Sequence, residues 1–441
     1  MPPRRPPRPR QHLSPRPPRA SAPPSRPPPR RPERASRHSL IHARIEAPRP
    51  RRGPARIGLA LAGGGPLGAI YEIGALCALE EAIDGLDFSA CDGYIGVSAG
   101  GFIAAGLVNG LTPRELCAAF IENDAEAPVS FEPSLLLRPA WDEYLARLGS
   151  LPGLLGQALW QTAVQGRSLL AAFERLGRAL PTGLLSGDVM AEQLRQQFSR
   201  PGRSDDFRQL RRPLVLVATD LDSGEAVPFG TPGHDHVPIS RAVQASAALP
   251  GLFPPVEIEG RHFVDGALKK TIHASVLLDR GLDLLICLNP LVPYQAGFDE
   301  HARIPRIADG GLPLVLSQTL RALIHSRLEL GLKRYELSHP DTDILLFEPD
   351  PRDAEMFLAN TFSYAQRRHL AEHAYQATRG ALLQRYAELA PKLARQGLTL
   401  SRSVLQDRQR RLLAPSRLTP TEAALQRLRD TLGRLEERAS A

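Results

Sequence analysis

The stretch GLALAGGGPLGAIYEIGAL, residues 58–76, passes from a short apolar run through three consecutive glycines into a helical pattern. Each of Gly63, Gly64 and Gly65 costs backbone entropy on folding, so a junction built from three of them needs a reason. Two chemistries use such a loop. Glycines at a helix N-terminus can cradle a phosphate, as in nucleotide-binding folds. Bare backbone N–H groups can also hold the oxygen of a reacting carbonyl. The nucleotide reading calls for Lys-Ser/Thr after the glycines, or an acidic residue at the next strand end to hold a ribose. Here Gly68 is followed by Ala69 and Ile70.

Outward from this junction the chain alternates between two periodicities. Apolar runs at 57–62, 93–97, 213–220, 262–266, 282–290 and 341–349 predict strands, several of them continuous enough to be buried on both faces of a sheet. Helical patterns at 66–82, 99–110, 240–248, 314–337 and 366–388 fall between them. The alternation predicts a layered α/β domain over 56–388. Leu-rich helical material at 131–200 interrupts it. Within that insertion Leu148–Gly166 carries no charge, but Pro152 and the four-spaced Gln157, Gln161 and Gln165 make it amphipathic rather than membrane-spanning. It is expected to pack on the sheet or to serve as a lid, with Trp160 suited to the head-group level of a bilayer.

Charge separates the arms from the body. Residues 1–55 hold 17 prolines, 15 arginines and two glutamates, a balance of +13, and residues 391–441 carry +6. Against a total of +8 this leaves −11 for residues 56–390, so the body is acidic. The 1–55 arm is too poor in apolar residues to fold and is expected to be disordered. It is either a passive tail or an electrostatic arm for anionic lipid. No aromatic residues interleave with its arginines, so no nucleic-acid partner is expected. Residues 389–441 read as a polar helical extension. Cys77, Cys91, Cys117 and Cys287 each sit among apolar residues and are expected to be buried thiols. With no apolar leader segment at the N-terminus and no spanning helix read, a cytoplasmic location, peripheral to a membrane, is expected.

A second glycine-rich junction, DGYIGVSAGGFIAAGL at 92–107, contains Gly96-x-Ser98-x-Gly100 between a strand and a helix. A serine on such a turn has its hydroxyl thrust out of the sheet, and small flanking residues let the turn close. The base it needs is not an evident histidine. His234 and His236 lie in a polar loop, His262 precedes a strand core, and His273 follows two lysines. The carboxylate of Asp265 in FVDGALKK stands at a strand end, with Gly266 allowing a turn directly after it. An ordinary aspartate is a weak base, and partial burial beside Phe263 and Val264 would raise its pKa.

Three elements thus follow in order: Gly63-Gly64-Gly65-Pro66-Leu67-Gly68, Gly96-Val97-Ser98-Ala99-Gly100 and Asp265-Gly266-Ala267. Together they resemble the patatin-like phospholipase family, with its G-G-G-x-x-G, G-x-S-x-G and D-G-[GA] motifs. The segments ATDLDSGEAVPF (218–229) and ASAALPGLFPPVEIEGRHFVDGAL (245–268) resemble it too. The resemblance implies a three-layer α/β/α fold in which Ser98 is the nucleophile, Asp265 its base, and the backbone around Gly63, Gly64, Gly65 and Gly68 the oxyanion hole. It implies no metal or organic cofactor. Its implied substrate is a phospholipid or related acyl ester, met at a membrane surface. Leu67 departs from the Arg or Lys that relatives often carry there, and the segment KKTIHASV departs from relatives that more often carry an Asn and a Pro in it; its Lys269 and Lys270 are expected either at the solvated surface or against an anionic head group. Two other readings remain open on the same residues. One is a lipid acyltransferase using the same acyl-enzyme, the other a catalytically silent lipid-binding protein.

Overall fold

The computed structural model describes residues 53–124, 138–141, 143–145, 147, 149, 180–269, 271–296, 306–359 and 366–413. The proline–arginine arm up to residue 52, the Leu148–Gly166 span apart from Gly149, and the polar tail after Leu413 lie outside the described residues.

The strands are β1 (Ile57–Leu61), β2 (Ile83–Asp84), β3 (Gly93–Val97), β4 (Leu214–Asp220), β5 (Ala226–Phe229), β6 (Val256–Ile258), β7 (Arg261–Asp265), β8 (Leu284–Leu288), β9 (Asp343–Phe347) and β10 (Thr399–Leu400). The main sheet runs β6-β7-β4-β3-β1-β8-β9, with β5 also paired to β4. Strands β4, β3, β1, β8 and β9 are mutually parallel, while β5, β6 and β7 make the sheet mixed at one end. All six expected strands form. The two short antiparallel additions, VEI and the proline-containing AVPF, lack the long apolar run that marks a central strand.

Period-two alternation sends the strand side chains into two layers. Leu59, Leu61, Tyr94, Leu216 and Ile286 face α1 (Gly65–Ala82), α2 (Ala99–Val108), α4 (Ile239–Ser246) and α6 (Arg367–Gln384), with α3 (Asp188–Phe198) at the margin of that layer. Ala60, Ile95, Val97, Val215, Val217 and Cys287 face the opposite layer, where α5 (Gly311–Ser338) contributes Ile324 and Leu328. The result is a mixed sheet covered by helices on both sides. Helix α1 is buried along most of its length, and Gly74 lets α6 approach it: a Cβ there would stand 2.5 Å from the Ala371 carbonyl oxygen.

Beyond α6, helix α7 (Tyr386–Arg395) leads into β10, which pairs antiparallel with β2 at the end of α1. Leu398, Leu400, Leu405, Leu412 and Leu413 are buried in the same core as α1. Arg379 of α6 ties this segment down through the Val404 and Asp407 carbonyls at 2.6 Å and 2.7 Å. The four cysteines are free and buried. Among the described residues no helix is long and apolar enough to cross a membrane.

Candidate active site

Strand β4 decides which residues meet. It first pairs in parallel with β3, Val97 lying opposite Val217. One position further it pairs with the antiparallel β7, Asp265 lying opposite Ala218. Because β5 occupies the other edge of β4 at these positions, β3 and β7 share one edge and their C-terminal ends meet head to head. The residues just past Val97 and at the end of β7 are therefore neighbours. Ser98 and Asp265 are both buried here, and the Ser98 side chain lies close enough to the Asp265 carboxyl to favour its charged form.

The serine turn is strained and braced. Ser98 has φ 54° and ψ −124°, a region that costs a side-chain-bearing residue about 1–3 kcal/mol and persists only where its surroundings enforce it. The Ser98 N–H donates to Ser246 Oγ at 2.8 Å, and that hydroxyl donates to the Val217 carbonyl at 2.6 Å. Helix α2 starts at the next residue, so its positive end lies beside the hydroxyl. The flanking glycines are required by packing. A Cβ on Gly96 would stand 2.5 Å from Gly101 Cα, and one on Gly100 2.5 Å from the Ala62 carbonyl oxygen.

Asp265 is fixed by its own turn. Its N–H reaches the Ala248 carbonyl at 3.0 Å, its carbonyl accepts from Thr219 Oγ1 at 3.1 Å, and its carboxylate accepts from the Ala267 N–H at 2.8 Å. Burial penalises the charged form and pushes its pKa up to about 6, although the Ser98 hydroxyl and the Ala267 N–H both favour the anion. Gly266 fills the corner where β7 leaves the sheet, since a Cβ there would collide with the Val217 carbonyl. The partial burial expected beside Phe263 and Val264 is complete.

The glycine loop completes the cluster. Gly63 lies against Ser98 and Ala267, where an added Cβ would come within 2.9 Å of Ser98 Cβ and 3.3 Å of Ala267 Cβ. Gly64 and Gly68 face the other way, against Pro290, and Gly65 takes φ 59°. The Gly68 N–H donates to the Gly64 carbonyl at 2.9 Å as α1 begins. Leu67 is buried in the core. All of the sequence-picked residues, Gly63 to Gly68, Gly96 to Gly100 and Asp265 to Ala267, therefore fall in one cluster.

Lys269 is exposed, and Lys270 lies outside the described residues. Among the described residues, the Asp265 carboxylate accepts its hydrogen bond from the Ala267 N–H rather than from a histidine. Among the described residues no three His, Cys, Asp or Glu side chains are grouped to hold a metal ion. Sequence reading passed over Ser246, whose only signal was its position in the ASAALPGLF segment; nothing in one sequence reveals that its hydroxyl links two strand ends.

A mixed sheet between two helical layers, with a strained serine at one parallel strand end and a carboxylate at the strand end beside it, defines a three-layer α/β protein. Residues 59–278 match the family model described as Patatin-like phospholipase, and through this domain the chain belongs to the patatin-like phospholipase family. Among curated relatives, an uncharacterized NTE family protein of Mycobacterium tuberculosis and one of Mycobacterium bovis are each 33% identical over 132 residues, 30% of this chain and 34% of theirs. The match thus spans about a third of the relatives' own length. Two solved structures are similar at 18% identity and a TM-score of 0.32. These are VipD from Legionella pneumophila, over 73% of this chain and 68% of that one, and the type III effector ExoU, over 75% and 53%.

Proposed function

We propose that this protein is a serine acyl hydrolase of phospholipase A, lysophospholipase or lipid esterase type, working through a Ser98–Asp265 dyad. The observation that carries the reading is the strained Ser98 turn set beside the buried Asp265 carboxyl, where β3 and β7 meet on one edge of β4. Ser98 Oγ attacks the ester carbonyl carbon while its proton passes to Asp265. The bond to the alcohol then breaks, and Asp265 returns the proton to the departing oxygen. Water, deprotonated by the same carboxylate, releases the fatty acid from the acyl-enzyme. A carboxylate held near pKa 6 is largely ionised at neutral pH, yet a better proton acceptor than an ordinary aspartate. Gly63 beside Ser98 supports the glycine loop as the binding place of the oxyanion, where side chains would obstruct the backbone N–H groups. Lipid esters reside in membranes, so contact with a membrane surface belongs to this reading.

The test is covalent labelling by a fluorophosphonate together with acid release from a phospholipid. The wild-type chain is expected to show both, and the Ser98→Ala variant neither. Labelling that survives Ser98→Ala would place the nucleophile elsewhere.

A further inference from the structure

Six of the eleven large apolar side chains exposed among the described residues stand on one helix, α5. Leu312, Val315, Leu316, Leu323, Leu330 and Leu337 leave 38–84% of their surfaces open, while the other face of the helix enters the core through Ile324 and Leu328. Leu316, Leu323, Leu330 and Leu337 recur every seven residues. Such a repeat drifts only about 20° per heptad around a helix, so the four make a continuous stripe, the pattern of a seam that meets a second helix. Thr319 and Ser326, each three residues after a stripe leucine, are small enough to let that helix approach. Covering the six side chains on two copies would remove on the order of 1,200 Å² from water, the lower end of what a specific interface buries.

Opposite charges border the stripe. Glu329 and Glu336 each precede a stripe leucine by one residue, and Arg327 and Arg334 each follow one by four. The acids therefore line one margin and the guanidiniums the other, and all four residues are exposed. In a parallel pair of identical helices, the residue before one leucine faces the residue five positions further along the other helix. Glu329 then meets Arg334 of the second copy, and two-fold symmetry makes that pair twice. Within its own helix Glu329 has only a loose pairing with His325 Nε2, at 3.5 Å. An antiparallel pair would instead set acidic margin on acidic margin. A bilayer is a poorer fit, because interfacial helices carry a broad apolar face under a basic one. Lys333 also falls in the seam, where a lone cation lowers stability and keeps the association reversible.

We propose that a second copy of this chain covers the stripe, through a parallel two-fold pairing of α5 with α5. Helix α5 begins past the carboxyl end of β8, where Gln318 donates to the Tyr294 carbonyl at 2.8 Å and Arg321 to the Pro290 carbonyl at 3.4 Å. It ends before the start of β8, with His339 Nε2 3.2 Å from Asp279 Oδ1. Ser98 likewise lies past the carboxyl end of its own parallel strand, β3. Parallel pairing therefore turns the two Ser98 junctions toward one side of the dimer, so that both can meet a single substrate-bearing surface. The self-association itself stands apart from the acyl-hydrolase reading and is tested without turnover.

The experiment is sedimentation velocity on the full chain across protein concentrations at low salt. Wild type is expected to pass from a 48.1 kDa monomer to a dimer with a midpoint in roughly the micromolar range. The double variant Leu323→Glu with Leu330→Glu should weaken dimerisation by roughly a hundredfold or more, with an unchanged circular-dichroism spectrum because both side chains are exposed. Glu329→Arg and Arg334→Glu should each weaken it by roughly tenfold, and the two together should restore it. Leu330→Cys should give a covalent dimer on mild oxidation, since the four native thiols are buried. A wild type that stays monomeric to about 100 μM, or a dimer untouched by the leucine changes, overturns the proposal. Failure of the paired charge swap to restore association overturns the parallel arrangement. Two further outcomes would hand the stripe to another occupant and overturn the proposal as well. One is a monomer whose binding to phosphatidylcholine–phosphatidylglycerol vesicles is lost in the leucine variant. The other is a monomer whose Leu330→Cys thiol resists maleimide labelling until unfolded, which assigns the stripe to another segment of the same chain.

Discussion

Two glycine-rich junctions follow two neighbouring parallel strands, and they use glycine for different ends. After β3, Gly96 and Gly100 are small because backbone atoms stand where their side chains would be, Gly101 Cα and the Ala62 carbonyl. After β1, Gly63 is small because a side chain is its neighbour: the Ser98 Cβ and hydroxyl lie within reach of any Cβ it might carry. The first junction spends glycine on closing a turn tightly enough to hold Ser98 at φ 54°. The second spends it on leaving room beside that serine. One sequence pattern thus serves packing in one place and access in the other, and substitutions can separate the two.

The largest effect is expected from the residue that the two junctions frame. Ser98→Ala should lower ester turnover by roughly 10³- to 10⁶-fold while the circular-dichroism melting curve changes little; a variant retaining a tenth of wild-type turnover would dissolve the contrast. Next is Asp265→Asn, which removes the proton acceptor and should cost roughly 10²- to 10⁴-fold in kcat. Its stability should move the opposite way. The folded-state pKa of about 6 exceeds the ordinary 3.8, so the folded protein holds this proton more tightly than the unfolded chain does. The carboxyl's contribution to stability is therefore greatest below the ordinary value, declines as pH rises through about 6, and is flat above. Asp265→Asn should lose that slope and gain up to about 3 kcal/mol at pH 7, checked by urea unfolding at pH 5 and pH 7. The same ionisation should make wild-type kcat/KM rise with pH through about 6.

The glycines themselves give smaller, divergent effects. Gly63→Ala should lower kcat by roughly 10- to 10²-fold, short of the loss of a whole oxyanion donor, with modest change in melting temperature. Gly100→Ala should instead destabilise the fold by about 1–3 kcal/mol, because the new methyl meets unyielding backbone. Equal behaviour of the two variants in kinetics and in unfolding would erase the distinction drawn between the junctions. The smallest change in turnover is expected from Ser246→Ala, whose effect falls on unfolding. Leaving the Ser98 N–H without its partner costs about 1–3 kcal/mol of stability, and the turn loosens without losing a reacting group.

Much of this was legible in the chain. The six apolar runs are strands because continuous Leu, Ile and Val cannot face water on either side, and the central sheet buries both faces. The glycines, Ser98 and Asp265 were legible because each sits where a run of one periodicity breaks into another. What stayed hidden depends on long-range pairing. The strands AVPF and VEI are too short, and in one case too proline-marked, to announce themselves. Ser246 looks like any helical serine until its hydroxyl is found between the Ser98 N–H and the Val217 carbonyl.

By itself the sequence determined the layered α/β class, the two glycine junctions and the identity of the two polar side chains between them, because periodicity and backbone freedom are local properties. Only the tertiary structure decided that these side chains are neighbours. Strand β4 hands one edge from β3 to β7 at adjacent residues, Val217 and Ala218, and hydrogen-bond register between distant segments is written in no single stretch of chain. The same holds for the proton affinity of Asp265. A carboxyl's intrinsic pKa belongs to the residue, but its rise to about 6 comes from the water that the assembled core excludes.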